Sequence, residues 1–273
     1  MRYPVAAAVG LAALLIVASV GTKAQGIDYA GINADVSAHH IRSGYGQLNE
    51  KVQALFSALK DLCKNTTTTT LDQARLAFHG AVDAWQAVEH IRFGPAQTQN
   101  AHARANFWPD KRGRVDKHLW RLMTRKDAEA ALKPIAFAKG SVAVQGFSAL
   151  ERLLFGNDVL AQIKRPATAV TPCAVATAIS VNITDLAKVL ATEWRQDVMA
   201  EKQAKDGTGD LFNNFAGGLQ ATVDLKLGGP LGIKSGRLRT KRAEHWRSAR
   251  ALRNIMVNLS ALEDLYLRLS DGA

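Results

Sequence analysis

The stretch that decides the fold class is Thr70-Leu71-Asp72-Gln73-Ala74-Arg75-Leu76-Ala77-Phe78-His79-Gly80-Ala81-Val82-Asp83-Ala84-Trp85-Gln86-Ala87-Val88. Leu71, Ala74, Phe78, Ala81, Trp85 and Val88 recur at steps of three and four, which puts all six on one stripe of an amphipathic helix. Trp85 is therefore read as core before it is read as a ligand contact. Thr70 followed by Gln73 predicts a capping box at the start, and Gly94-Pro95 ends the element because proline cannot continue a helix. The polar run Thr66 to Thr70 reads as a loop.

The same period returns elsewhere. Leu252, Ile255, Leu259, Leu262, Tyr266 and Leu269 predict a long final helix, and Ile179, Ile183, Leu186 and Leu190 form a stripe that runs on into Glu193 and Asp197. Further helices are expected over 46–64, 114–123, 126–133, 142–155 and 211–227. No segment alternates apolar and polar residues as a half-buried strand does. Eight glycines between Lys205 and Gly236 predict irregular structure there, above all over 227–236. The fold class is thus all-α, with two helical-bundle halves packed together. Residues 163–172 read as the connection, giving a signal peptide (1–24), an N-terminal bundle (25–165) and a C-terminal bundle (166–273). Such bundles build ligand sites from side chains facing their core.

Arg2, the apolar run Val5 to Val20 and the small residues around Thr22-Lys23-Ala24 have the order of a secretory signal peptide. The apolar run is shorter than the roughly 20 residues of a membrane span. The expectation is a periplasmic protein starting near Gln25, with an uncleaved anchor as the alternative. The first cysteine, Cys63, is too distant for lipoprotein attachment. Loss of Arg2 and Lys23 lowers the formal charge from +11 to +9, so the exported chain stays basic. An envelope address and the lack of zinc-finger or RNP-type motifs argue against nucleic acid as partner. In an oxidising compartment the isolated pair Cys63 and Cys173 reads as a structural disulfide. Closing a loop of about a hundred residues stabilises a fold by up to about 4 to 5 kcal/mol in the chain-entropy model.

Three clusters combine aromatic, acidic and glycine residues: 84–95 (AWQAVEHIRFGP), 107–114 (FWPDKRGR) and 146–156 (GFSALERLLFG). Through them, through Cys173 and the helix ending in Glu193-Trp194, and through the 229–233 and 243–248 stretches, nearly the whole exported chain resembles the imelysin family, also called peptidase family M75. The resemblance implies an all-α envelope protein of two bundle-like halves, often linked to iron uptake or regulated by iron. It also implies a Gly-x-His-x-x-Glu metal motif. Gly146, Ser148 and Glu151 match that motif here, with serine in place of histidine.

The exchange matters because a His and a Glu three apart share a helix face and bind one cation together, whereas a serine hydroxyl is a poor donor. No histidine of this chain has a carboxylate three residues away. His79 and Asp83 lie four apart, on the face opposite the buried stripe, and read as a solvent-facing pair. His90 directly follows Glu89, so the two point different ways. Glu89, next to Val88, and Glu151, next to Leu150, each read as either a structural ion-pair partner, for Glu89 with an arginine such as Arg92, or a ligand-facing group.

Trp108-Pro109-Asp110 reads as a rigid loop of the kind that lines sites, with Asp110 equally suited to capping the next helix. The ligand candidates are therefore Trp85, Glu89, Arg92, Trp108, Asp110, Ser148 and Glu151, with Glu151 the weak metal candidate. If Glu193 or Asp197 joined Glu89 and Glu151, an all-carboxylate set would suit a hard cation. The run Arg237, Arg239, Lys241, Arg242, Arg247, Arg250 and Arg253 is either a solvated helix face or an anion site for phosphate, a carboxylate-bearing siderophore or a lipid head group.

Three functions fit: a binding or accessory protein in iron or metal uptake, a metal-dependent peptidase of the M75 type, and an envelope scaffold. A divalent metal or iron is the cofactor to consider, and an envelope protein or a small anionic or metal-bearing ligand the partner. Activity as an enzyme is left open but disfavoured. No His-Glu-x-x-His, glycine-rich phosphate loop or Gly-x-Ser-x-Gly elbow occurs, and the sequence offers Ser148 no base.

Overall fold

The computed structural model describes residues 26–165, 169–196, 199 and 203–271, and among these there are helices and turns but no strand. The leader 1–24 and Asp197 lie outside the described residues. Helix α1 (Tyr29–Asp35), capped by Asp28, runs through a π-helical segment (Val36–Arg42) into α2 (Ser43–Lys64). Helix α3 (Thr68–Val88) carries the stripe quoted above, and all six stripe residues are buried. Each large side chain buried this way stabilises the fold by about 1.5 to 3 kcal/mol. The capping box sits three residues earlier than predicted. Thr67 Oγ1 accepts from the Thr70 N–H and Thr70 Oγ1 from the Thr67 N–H, because threonine at the third helical position can return the bond as glutamine does.

Helix α4 (Arg114–Thr124) precedes the short helices Ala128–Ala131 and Pro134–Ala138, then α5 (Phe147–Phe155). The helix predicted over 142–155 breaks at Gly146 into a 3-10 turn (Val142–Val144) and α5. A Cβ on Gly146 would stand 2.1 Å from the Ala105 carbonyl oxygen, so glycine is there to let the 104–106 backbone cross. Helix α6 (Pro172–Glu193) packs against α2, and α2 against α3. By length and composition α6 passes for a membrane span, yet half of its apolar window is buried within the fold. One buried apolar cluster extends from Ile32 to Leu265 and includes Val159 and Val170 on either side of residues 166–168.

The glycine-rich stretch is irregular only in its second part, where a single helical turn (Gly228–Leu231) gives way to turns over 232–236. Its first part forms α7 (Ala204–Ala221), continued by a π-helical segment (Thr222–Leu227), which takes in the helix expected over 211–227. Its glycines serve close approach. A Cβ on Gly207 would lie 2.7 Å from the Asn33 amide, and one on Gly218 would lie 2.7 Å from Leu262 and 3.0 Å from His90 Cβ. Packing against α1 and the final helix α8 (Ala251–Asp271) therefore overrides local propensity.

Two further expectations fail for one reason. The basic run is not a helical face, since 240–242 form a 3-10 turn, 243–249 form turns, and α8 begins only at Ala251. The Leu252 to Leu269 ladder is also split: Leu252, Leu259 and Tyr266 face out, Leu262 is buried, and Asn254 and Asn258 are buried beside it. In both places inward polar contacts set the backbone. The Ser248 N–H donates to Glu151, Asn254 donates to Glu244, and Asn258 donates to the Gln86 carbonyl. His79 and Asp83 do not face solvent either. His79 stacks on Phe155 at 5.3 Å, and Asp83 pairs with Arg250 and Arg253 from the start of α8.

Cys63 at the end of α2 and Cys173 at the start of α6 are joined, with Cα atoms 5.7 Å apart. Intact mass should come out two hydrogens lighter than that of the reduced chain, and reduction should lower the unfolding free energy from urea denaturation by up to about 4 to 5 kcal/mol. Two thiols freely alkylated without reductant would contradict the bridge.

Candidate functional site

The site begins at Gly146. The backbone crossing it permits brings Asn106 to Ser148, whose hydroxyl donates to Asn106 Oδ1 at 2.6 Å. The Asn106 amide passes the chain on, donating to Glu244 Oε1 at 2.7 Å. The second Glu244 oxygen accepts from Lys226 Nζ at 2.9 Å and from Asn254 Nδ2 at 2.9 Å. Lys226 also donates to Gln86 Oε1 at 2.5 Å and Glu89 Oε2 at 2.6 Å, so its three protons are all used. The motif serine is thus the outer end of a buried polar chain reaching α3, α8 and the π-helical segment 222–227.

Charge in this chain is balanced locally. Burial drives the Glu89 carboxyl above its ordinary range despite Lys226. Burial also works against the Glu244 carboxylate, but Lys226 and the neighbouring donors hold it below the ordinary range. Burial opposes the Lys226 charge too, and the two glutamates outweigh it, holding Lys226 above the usual lysine value.

Glu151, 1% exposed, accepts from the Ser248 N–H at 2.9 Å and the Ser248 hydroxyl at 2.8 Å, with Arg152 Nη1 3.5 Å from its other oxygen. That pins the 245–248 turn against α5. From the first turn of α8, Asn254 Nδ2 faces the Glu244 carboxylate, which can only accept, and also reaches His245 Nδ1 at 3.0 Å. Nδ1 is therefore the bare nitrogen, and Nε2 carries the ring proton without a partner among the described residues. Burial lowers the His245 pKa, which keeps the ring neutral.

Above these residues lies a cavity of about 350 Å³. Ser148, Glu151 and His245 are at its wall, with Phe107, Trp108 and Trp246 as flat apolar surface and Lys111, Lys234, Lys241 and Arg242 among its basic residues. None of these four cations forms an ion pair among the described residues, whereas each lining carboxylate is engaged. Asp110 caps α4 through the Arg114 and Val115 N–H groups, Glu151 holds Ser248, and Asp224 accepts from Gln220. Trp108 donates its indole N–H to the Arg242 carbonyl at 3.2 Å, which fixes the ring. The Arg247 guanidinium lies 4.4 Å from the Trp246 ring centre.

Of the residues singled out in the sequence, the structure brings Trp108, Asp110, Ser148 and Glu151 together around this cavity. Trp85 is buried in the core, 1% exposed. Glu89 stands outside the cavity, and its partner is Lys226, not an arginine. Arg92 is exposed and away from it. Glu193 accepts from Gln99 and does not approach Glu89 or Glu151 as part of a donor cluster. His245 and Lys226 carry no such reading in the sequence, where the 243–248 stretch is the one signal for His245, whereas Trp246 lies within the basic run read as a possible anion site.

A second buried polar chain escaped the spacing search. His40 Nε2 and His90 Nε2 are 2.8 Å apart, and His40 Nδ1 meets Asp264 Oδ2 at 2.6 Å. Burial lowers the His40 pKa and pushes His90 down to about 3, and it lowers His102 to about 4.

A transition metal held by protein takes three or four donors. Among the described residues no three His, Cys, Asp or Glu side chains are grouped to hold one. Ser148 has given its hydrogen to Asn106, one Glu151 oxygen is occupied twice by Ser248, and the free nitrogen of His245 carries a proton. The donor set does not fit the metal that the Gly-x-His-x-x-Glu motif implies.

An all-helical chain with a polar seam and an aromatic, basic cavity beside α5 is the class of protein defined so far. The imelysin (Peptidase_M75) family model matches residues 41–272, and the chain belongs to that family. A crystal structure of an imelysin-like protein from Psychrobacter arcticum 273-4 superimposes with a TM-score of 0.70 at 22% identity, covering 87% of this chain and 74% of that one. A protein named as an iron-regulated protein A precursor, from Parabacteroides distasonis ATCC 8503, gives 0.67 at 14% identity, covering 86% and 72%. These likenesses establish the fold. No curated protein sequence matches.

Two outcomes follow. Lys226→Met leaves two buried carboxylates facing each other and should cost about 3 to 5 kcal/mol in urea denaturation, whereas Lys111→Met on the surface should cost less than about 0.5. The buried histidines give an acid dependence: their folded pKa values lie below the unfolded value of about 6.5, so the unfolded chain binds more protons as pH falls. Stability should therefore drop from about pH 6.5 towards 4, more gently in His90→Gln; equal slopes in parent and variant would remove His90 from the account.

Proposed function

We propose that this imelysin-family chain is an exported binding protein of the bacterial envelope, accessory to iron or metal uptake, that holds a small anionic ligand in the Trp108–Trp246 cavity. The observation that carries the reading is the imbalance at that cavity: four cations with no ion-pair partner among the described residues face aromatic surface while every lining carboxylate is already engaged. Arg242 offers a forked donor to phosphate or carboxylate, and the His245 Nε2–H is a further neutral donor at the wall. A metal would enter here as cargo carried by its ligand. The iron connection rests on the neighbour named as iron-regulated, and the envelope address on the leader 1–24.

The test is native mass spectrometry of protein released from its own periplasm by osmotic shock. It should show a chain starting at Gln25 with a small anionic adduct that Arg242→Ala or Trp108→Ala releases. A chain retaining Met1 in the membrane fraction, or an adduct untouched by both substitutions, would overturn the reading.

The metallopeptidase alternative has its own measurement. Titration calorimetry should find weak zinc binding in the parent and tighter binding in Ser148→His, with no peptide cleavage above background in the parent. Tight stoichiometric binding by the parent, lost in Glu151→Ala, would restore the peptidase reading.

A further inference from the structure

Between Asp224 and Glu244 the chain has no acidic residue. Leu231, Ile233 and Leu238 in this stretch are 54%, 68% and 69% exposed. They alternate with Lys234, Arg237, Arg239, Lys241 and Arg242, none of which has an ion-pair partner among the described residues. A lone exposed leucine is ordinary. Three aliphatic side chains within eight residues are less so when the backbone holds them outward.

That backbone is closed on itself. The Ile233 N–H donates to the Gly228 carbonyl at 3.1 Å, Gly236 to Gly232 at 2.8 Å, and Arg239 to Pro230 at 2.7 Å across the base of the loop. Gly232, at φ +68°, lies so near the Arg237 carbonyl that a Cβ would stand 1.9 Å from its oxygen. The loop is thus a built feature that cannot fold its aliphatic tips inward. Val223 and Leu225, 55% and 41% exposed, extend the apolar edge towards α7.

We infer that the 223–242 loop is a docking surface for an anionic phospholipid bilayer. Aliphatic tips ringed by lysine and arginine match the two layers of such a surface: the tips enter the acyl boundary while the cations reach the phosphates. Nucleic acid would satisfy the charges and leave the three aliphatics in water. Leu225, Lys234, Lys241 and Arg242 also line the cavity, so the bilayer-facing loop and the ligand cavity share a wall.

The experiment is vesicle flotation of the chain from Gln25 onward, which holds every described element of the fold. The chain should float with phosphatidylcholine–phosphatidylglycerol vesicles, be released by high salt, and stay behind with phosphatidylcholine alone. Ile233→Asp with Leu238→Asp should lower the partition coefficient at least about tenfold, and Lys234→Glu with Arg237→Glu at least about fivefold for each cation removed. Both variants should keep the parent melting temperature, since all four side chains are exposed. Absence of flotation on anionic vesicles, equal flotation on neutral ones, or loop variants that float like the parent would overturn the inference. Tight binding to an acidic protein without vesicle binding would overturn it too, and the anion-binding cavity can stand or fall separately.

Discussion

The structure turns on one ammonium group. Lys226 is buried with its three protons divided among Gln86, Glu89 and Glu244, so removing the lysine leaves two carboxylates facing each other without their cation. A buried charge of this kind is weak evidence for stability, because its desolvation offsets most of its Coulombic gain. What it fixes is position. Gln86 and Glu89 belong to the end of α3, Lys226 to the segment after α7, and Glu244 to the turn before α8, so the ion cluster sets how three parts of the chain, far apart in sequence, register against each other. Asn106 and Ser148 extend that register to α5 and the cavity.

This network changes what the family motif means in this chain. Gly146 is required because the Ala105 backbone passes against it. Glu151 clamps the Ser248 turn, and Ser148 hands its proton to Asn106. All three positions therefore have a structural occupation that needs no metal. The serine departs from the motif in chemistry while still filling a place in a hydrogen-bonded chain, as the Glu244 and Lys226 links require.

The helical fold was legible because burial has a period. The stripes of α3 and α6 could be read directly, α2 could be read as a helix, and the cysteine pair could be read from compartment and count. Glycine misled, since the same residue that marks a turn also allows helices to touch, as Gly207 and Gly218 do in α7. The final helix misled in the opposite way: Leu252, Leu259 and Tyr266 of its apolar ladder face out while Leu262 faces in, because Asn254 and Asn258 carry amides that the buried network uses. Four of the seven candidate residues, Trp108, Asp110, Ser148 and Glu151, converge on the cavity. Its other contributors were hidden by distance. His245 is 94 residues from Glu151, and no spacing rule along one helix joins residues of two. His40 and Asp264, 224 apart, are joined in the same way.

The two π-helical segments, 36–42 and 222–227, have a shared consequence. Each adds residues to a turn and so shifts the angular phase of the helix it interrupts. Each also holds one inward ionisable side chain, His40 in the first and Lys226 in the second, and both reach the end of α3 at neighbouring residues, His90 and Glu89. The irregular turns act as a vernier between helices. They let α1 and α2, and likewise α7 and the chain beyond it, keep separate apolar faces in the core while a single polar residue at the join is rotated inward. Inserting or deleting one residue in either segment would accordingly swing that buried side chain to another bearing without redesigning a helix.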